Sequence, residues 1–114
     1  MKLYYSIVIF LCLSLSLDSR AQNYNMSNTT VNISCGSVIN FYDSGGPSSS
    51  YSTNANLTMV FCAPVGQNIY AQFSSFNLEN TWDYLYVYNG PSMASPLLGA
   101  FTGGVSPGLI SGAT

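Results

Sequence analysis

Histidine is absent from these 114 residues, and Lys2 and Arg20 are the only bases. Without an imidazole, neither a Ser-His-Asp nor a Cys-His nucleophile system can be assembled, and a zinc site would have to rely on cysteines and carboxylates. With so few bases there is no patch to neutralise phosphates, which excludes nucleic acid and anionic lipid surfaces as partners. Acids are scarce as well: Asp18, Asp43, Glu79 and Asp83 make up the whole set. Beyond residue 21 no apolar run is long enough to span a bilayer, and no segment carries helical periodicity.

The first stretch stands apart from the rest. Lys2 provides a positive start, Leu3 to Leu17 form an apolar run, and Ser19-Arg20-Ala21 puts small residues at the two positions that a signal peptidase reads. Residues 1–21 are therefore read as a signal peptide cleaved after Ala21, which predicts a secreted chain starting at Gln22. A lipoprotein signal is disfavoured because Leu11, not a small residue, precedes Cys12. Cleavage removes both bases, so the mature chain keeps Asp43, Glu79 and Asp83 and no cationic side chain.

After cleavage the remaining cysteines are Cys35 and Cys62, an even pair in an exported chain, which is the setting where a disulfide is expected. Closing that loop would stabilise the domain by roughly 3 to 4 kcal/mol on the chain-entropy model. Free or metal-bound thiols are the rival reading, and an oxidising compartment counts against them. Asn25-Met26-Ser27, Asn28-Thr29-Thr30, Asn32-Ile33-Ser34 and Asn56-Leu57-Thr58 fit the N-glycosylation pattern. In a eukaryotic secretory pathway these would carry sugars; in a bacterial protein they would be polar loop and strand residues.

Short β-branched and aromatic runs, cut by Gly, Pro, Asn and Ser clusters, predict strands throughout. Thr30 to Ile33 and Val38 to Tyr42 flank Cys35. Leu57, Met59 and Phe61 alternate with Thr58 and Val60, and Ile69, Ala71 and Phe73 alternate with Tyr70 and Gln72. With Pro64-Val65-Gly66-Gln67 between them, those two runs predict an antiparallel hairpin. Tyr84 to Tyr88 sets Leu85 and Val87 on one face and three tyrosines on the other, before the turn Asn89-Gly90-Pro91. Leu97 to Phe101 is a further strand, and Ser44 to Asn56 is a long polar loop. Many short strands without helices predict an antiparallel β-sandwich.

Taken in order, Cys35, Phe41-Tyr42-Asp43-Ser44-Gly45-Gly46, Tyr51, Phe61-Cys62-Ala63-Pro64, Phe73 to Glu79, Asp83 to Gly90 and Gly99-Ala100-Phe101-Thr102-Gly103 resemble a CUB domain. The segment Phe41 to Gly46, and the cysteine directly before Ala63-Pro64, resemble bacterial secreted members more than animal ones. The resemblance implies a jelly-roll-like sandwich in which Cys35 and Cys62 are joined. It divides the chain into the leader, a lead-in over residues 22–34 and a CUB-like domain over residues 35–114. Two departures stand out. No second cysteine pair flanks the acidic loop, and two strands that family members carry after the position of Ile110-Ser111-Gly112 are expected to be missing.

Glu79 and Asp83 sit at the two ends of the short loop Asn80-Thr81-Trp82. Calcium takes six to eight oxygens, so two acids with Asn80 and loop carbonyls would supply a partial shell. The resemblance implies the same: in calcium-binding CUB domains an equivalent Glu and Asp hold the ion, with a further Asp from a loop that would lie beyond Thr114. Affinity from this chain alone would then fall near the millimolar end. Two acids on a solvated loop repel by only about half a kcal/mol, so their proximity does not itself demand a cation. Asp43 is read as a turn-capping residue. A carboxylate pair is also the machinery of glycoside hydrolysis, but both acids lie on one loop instead of facing across a cleft. Trp82 and Tyr84 are the candidate ligand contacts. The sequence therefore predicts a secreted, non-enzymatic recognition or adhesion module that binds an extracellular protein or carbohydrate, with calcium as its ion. The alternative is a structural accessory domain of a larger secreted protein.

Overall fold

Four-residue strands dominate the domain, because its apolar residues alternate with polar ones only over short stretches before a turn residue intervenes. The computed structural model describes residues 21–112. The apolar leader and its predicted cleavage motif up to Arg20 lie outside the described residues. The strands are β1 (Gln22–Asn25), β2 (Thr29–Asn32), β3 (Ile39–Tyr42), β4 (Met59–Cys62), β5 (Ile69–Gln72), β6 (Leu85–Tyr88), β7 (Leu97–Phe101) and β8 (Leu109–Gly112). A single 3-10 turn at Gly46–Ser48 interrupts them among the described residues. The all-β expectation holds. The lead-in is not featureless, since it supplies β1 and β2.

The strands pair as four ladders: β1 with β3, β2 with β4, β5 with β8 and β6 with β7. The first two are parallel and the last two antiparallel. The expected hairpin between Met59–Cys62 and Ile69–Gln72 does not form, because β4 pairs with β2 and β5 pairs with β8. The turn itself is present: Gln67 N donates to Pro64 O at 3.1 Å, and Gly66 at its third position has φ +81°, a backbone that favours glycine. That turn carries the chain from one ladder to another. Alternation cannot tell the two outcomes apart, since it only assigns Met59, Phe61, Ile69 and Ala71 to the interior.

All four ladders meet at one apolar cluster. Val31 and Ile33, Met59 and Phe61, Ile69 and Ala71, Leu85 and Val87, and Ile110 are buried together, with Phe41, Phe73, Phe76 and Phe101 packed against them. Phe41 bridges neighbouring ladders, its ring 5.7 Å from Phe61 and 5.6 Å from Phe73. The Phe41–Phe73 pair is edge-to-face, at an interplanar angle of 88°, the geometry that aromatic quadrupoles favour.

On β7, Phe101 folds its ring back over Gly99, closer than a side chain at that position would permit. Glycine is needed there for space, not for an unusual backbone. Gly99→Ala must displace the ring from the core edge and is expected to destabilise the domain by about 1–3 kcal/mol, read as a lower midpoint in urea unfolding. An unchanged midpoint would show that the ring contact contributes nothing.

Candidate functional site

The loop between β5 and β6 is a tight bend whose two acids are held by backbone. Trp82 N and Asp83 N both donate to Glu79 O, at 3.2 and 3.0 Å. Leu78 N donates to Gly103 O at 2.9 Å, which ties the start of the bend to the segment after β7. Thr102 fixes its middle: its hydroxyl accepts from Thr81 N at 3.0 Å and donates to Asp83 O at 2.7 Å. Thr81 takes φ +66°, a left-handed conformation that strains a β-branched residue. The bend is therefore built at a conformational cost that Thr102 offsets.

Tyr51, from the long polar loop, reaches across to the same place. Its hydroxyl donates to Asp83 Oδ2 at 2.5 Å and accepts from Glu79 N at 3.1 Å. One phenol thus joins both ends of the acidic loop. The bond to Asp83 holds the Tyr51 hydroxyl above the ordinary phenol pKa of 10.0, while the backbone bond from Glu79 pulls the other way.

Tyr51, Thr53, Asn54, Glu79, Trp82 and Asp83 line an open depression of about 650 Å³. Trp82 stands at its edge with 79% of its surface exposed. Asn54, on the facing loop, is also left-handed at φ +57°. Asn80 does not line the depression; its side-chain oxygen packs against Gly103, where a Cβ would come within 2.9 Å. Residues 21–112 contain no Lys, Arg or His to balance the two carboxylates. Among the described residues, no group of three or more His, Cys, Asp or Glu side chains gathers as a metal shell.

Tyr84 lies outside the depression, stacked on Tyr86 with ring centroids 5.8 Å apart and an interplanar angle of 24°. Both rings remain about two-fifths exposed, at 43% and 41%, so neighbouring strands do not cover that face. Asp43 is a turn residue, its Oδ1 accepting from Gly45 N at 2.8 Å. The sequence analysis placed Tyr51 and Thr102 in the motif order that resembles a CUB domain but gave neither a role at the acidic loop. Tyr51 stands alone between Ser50 and Ser52 in a polar loop, and its isolation as an aromatic and its place in that motif order were the available signals.

The expected bond between Cys35 and Cys62 is not present in this structure. Cys62 is a free thiol, and Cys35 is disulfide-bonded but not to Cys62. A sulfur makes only one such bond, so Cys35 is already committed. The two cysteines nevertheless lie near the same end of the β2–β4 ladder: Cys62 is paired with Asn32, Ile33 N donates to Cys62 O at 2.8 Å, and Cys35 follows in the Ser34–Ser37 turn.

A family model for the CUB domain matches residues 34–114. The chain belongs to the CUB domain family. CUB domains are non-enzymatic modules of extracellular proteins that mediate recognition. This CUB domain is 40% identical over 58 residues to multiple epidermal growth factor-like domains protein 8 of rat, mouse and human. The match covers 50% of this chain and 2% of each of those proteins. These relatives are mammalian, whereas the segment Phe41 to Gly46 and the cysteine before Ala63-Pro64 resemble bacterial secreted members. No solved structure matches the chain. Among the described residues, no helix is long and apolar enough to cross a membrane.

The tie from Tyr51 has a pH signature. A raised phenol pKa in the fold means that folding favours the neutral hydroxyl, so this stabilisation is complete below the ordinary phenol pKa and is lost as pH rises through the higher folded value. Thermal melts from neutral to strongly alkaline pH are expected to show Tyr51→Phe less stable than wild type at neutral pH, with the gap narrowing in alkali. A gap that is constant with pH would show that the hydroxyl bond to Asp83 plays no part.

Proposed function

We propose that this CUB domain is a secreted recognition module that engages an extracellular protein through the Glu79–Asp83 loop, with calcium ordering that loop. The observation that carries the reading is the depression itself: two carboxylates and an exposed tryptophan, in a mature chain with no cationic side chain to neutralise them. Any positive charge that neutralises them comes from outside residues 21–112. A calcium ion bound by Glu79, Asp83 and loop carbonyls supplies it, and so does a lysine or arginine of the partner reaching into the same depression. Trp82 fits the role of an aromatic anchor, with a large area available for burial on contact.

Hydrolytic chemistry has less support. Asp83 accepts from Tyr51 and belongs to the same bend as Glu79, so the two acids do not face each other across a substrate cleft. The accessory-domain reading requires no site, and the depression favours recognition over it.

Calcium at ten times its dissociation constant would add about 1.4 kcal/mol to folding. The secreted protein is therefore expected to gain several degrees in melting temperature in millimolar calcium, and Glu79→Gln is expected to lose that gain. Equal melting of the two proteins across the titration would end the calcium reading. Loss of partner binding in Trp82→Ala, with calcium binding retained, would separate the anchor from the ion.

Once the leader is removed, Cys35 and Cys62 are the remaining cysteines of the chain. We infer that they pair in the mature protein, supported by their position near the same end of one ladder. Peptide mapping of the secreted chain under non-reducing conditions should recover the two cysteines in one linked fragment. Labelling of both by a thiol reagent would refute the pairing.

A further inference from the structure

All four N-glycosylation sequons fall between Asn25 and Thr58, and none occurs on β5 to β8. The modification joins the side-chain amide nitrogen to the anomeric carbon of an oligosaccharide carried on a lipid diphosphate. A nitrogen–carbon bond forms, the carbon–oxygen bond to the diphosphate breaks, and the amide loses one proton as the lipid diphosphate departs. The oligosaccharyltransferase of the secretory pathway supplies that donor. What the folded chain must provide is an amide nitrogen that no native contact requires, on a surface with room for a sugar.

The four asparagines differ in this respect. Asn28 is exposed and uses its amide oxygen, accepting from Thr58 N at 2.8 Å. That bond uses the oxygen and not the nitrogen, so it can persist after glycosylation. Thr58 is the hydroxyl residue of the Asn56 sequon, so two sequons lie side by side at the start of the β2–β4 ladder. Asn56 is exposed in the polar loop. Asn32 is exposed on β2, between the inward Val31 and Ile33. Asn25 is exposed too, but it differs in lying beside Gly46, its amide nitrogen and oxygen 3.2 and 3.3 Å from where a Cβ on that glycine would stand. A sugar on Asn25 would have to displace that contact.

We propose that the mature chain is an N-glycoprotein bearing sugars on Asn28, Asn32 and Asn56 but not on Asn25. Glycans at these sites shield the β2–β4 ladder, a two-stranded ladder whose strand edges would otherwise invite pairing with other chains. The exposed Tyr84–Tyr86 pair bears no sequon and stays free of them.

The full chain, secreted from cultured mammalian cells, tests this by enzymatic release of N-glycans in heavy-oxygen water followed by peptide mass spectrometry. The expected result is isotopically marked aspartate at positions 28, 32 and 56 and unmodified asparagine at 25. As a second measurement, Asn25→Gln should leave the gel mobility of the secreted protein unchanged, while Asn32→Gln and Asn56→Gln should each increase it by one glycan step. Absence of marking at all three positions, or marking at position 25 in most molecules, would overturn the proposal.

Discussion

Among the described residues no ladder is more than two strands wide, so none can stand without the apolar cluster on which all four converge. Met59, Phe61 and Val87 are its most deeply buried large side chains, drawn from β4 and β6. Each ladder contributes its inward alternate residues and takes its stability from the others. Phe41 makes that dependence concrete, since its one ring touches partners on β4 and just after β5. The cooperative unit is therefore the whole set of ladders, and a loss at one contact is felt across the domain.

The acidic loop is positioned from outside that core. Its hydrogen bonds run to Thr102, Gly103 and Tyr51, so it is held by the segment after β7 on one side and by the long polar loop on the other. The left-handed Thr81 shows that the bend is not the one its residues would choose alone. Strain held in place by neighbouring elements keeps two like charges at the rim of one depression. This arrangement suits a module that meets a cation from elsewhere, because nothing in residues 21–112 neutralises those charges.

Much of the architecture was legible before folding was considered. Period-two alternation located β2, β3, β4, β5, β6 and β7 to within a residue or two, because a strand buried on one face must alternate. It missed β8 at Leu109–Gly112, and it missed β1, since Gln22-Asn23-Tyr24-Asn25 presents a lone aromatic and no apolar repeat, and that strand exists by pairing with β3. It also assigned β5 to the wrong neighbour. Inward-facing residues look the same in a hairpin as in strands of different ladders, and the Pro64–Gln67 turn serves either. For the site, the spacing of Glu79 and Asp83 announced the loop, but Asn80 turned to Gly103 and Tyr51 arrived from 28 positions away in the chain.

Composition by itself narrowed the chemistry open to these 114 residues. A chain without histidine has no means of general-base catalysis by imidazole, whatever its fold. Local order along the chain settled the strands and the acidic loop, because alternation and turn residues act over a few positions. The tertiary structure decided which strands pair and which side chains close around the acids. Those outcomes depend on residues tens of positions apart meeting at one core, and no local pattern records that meeting.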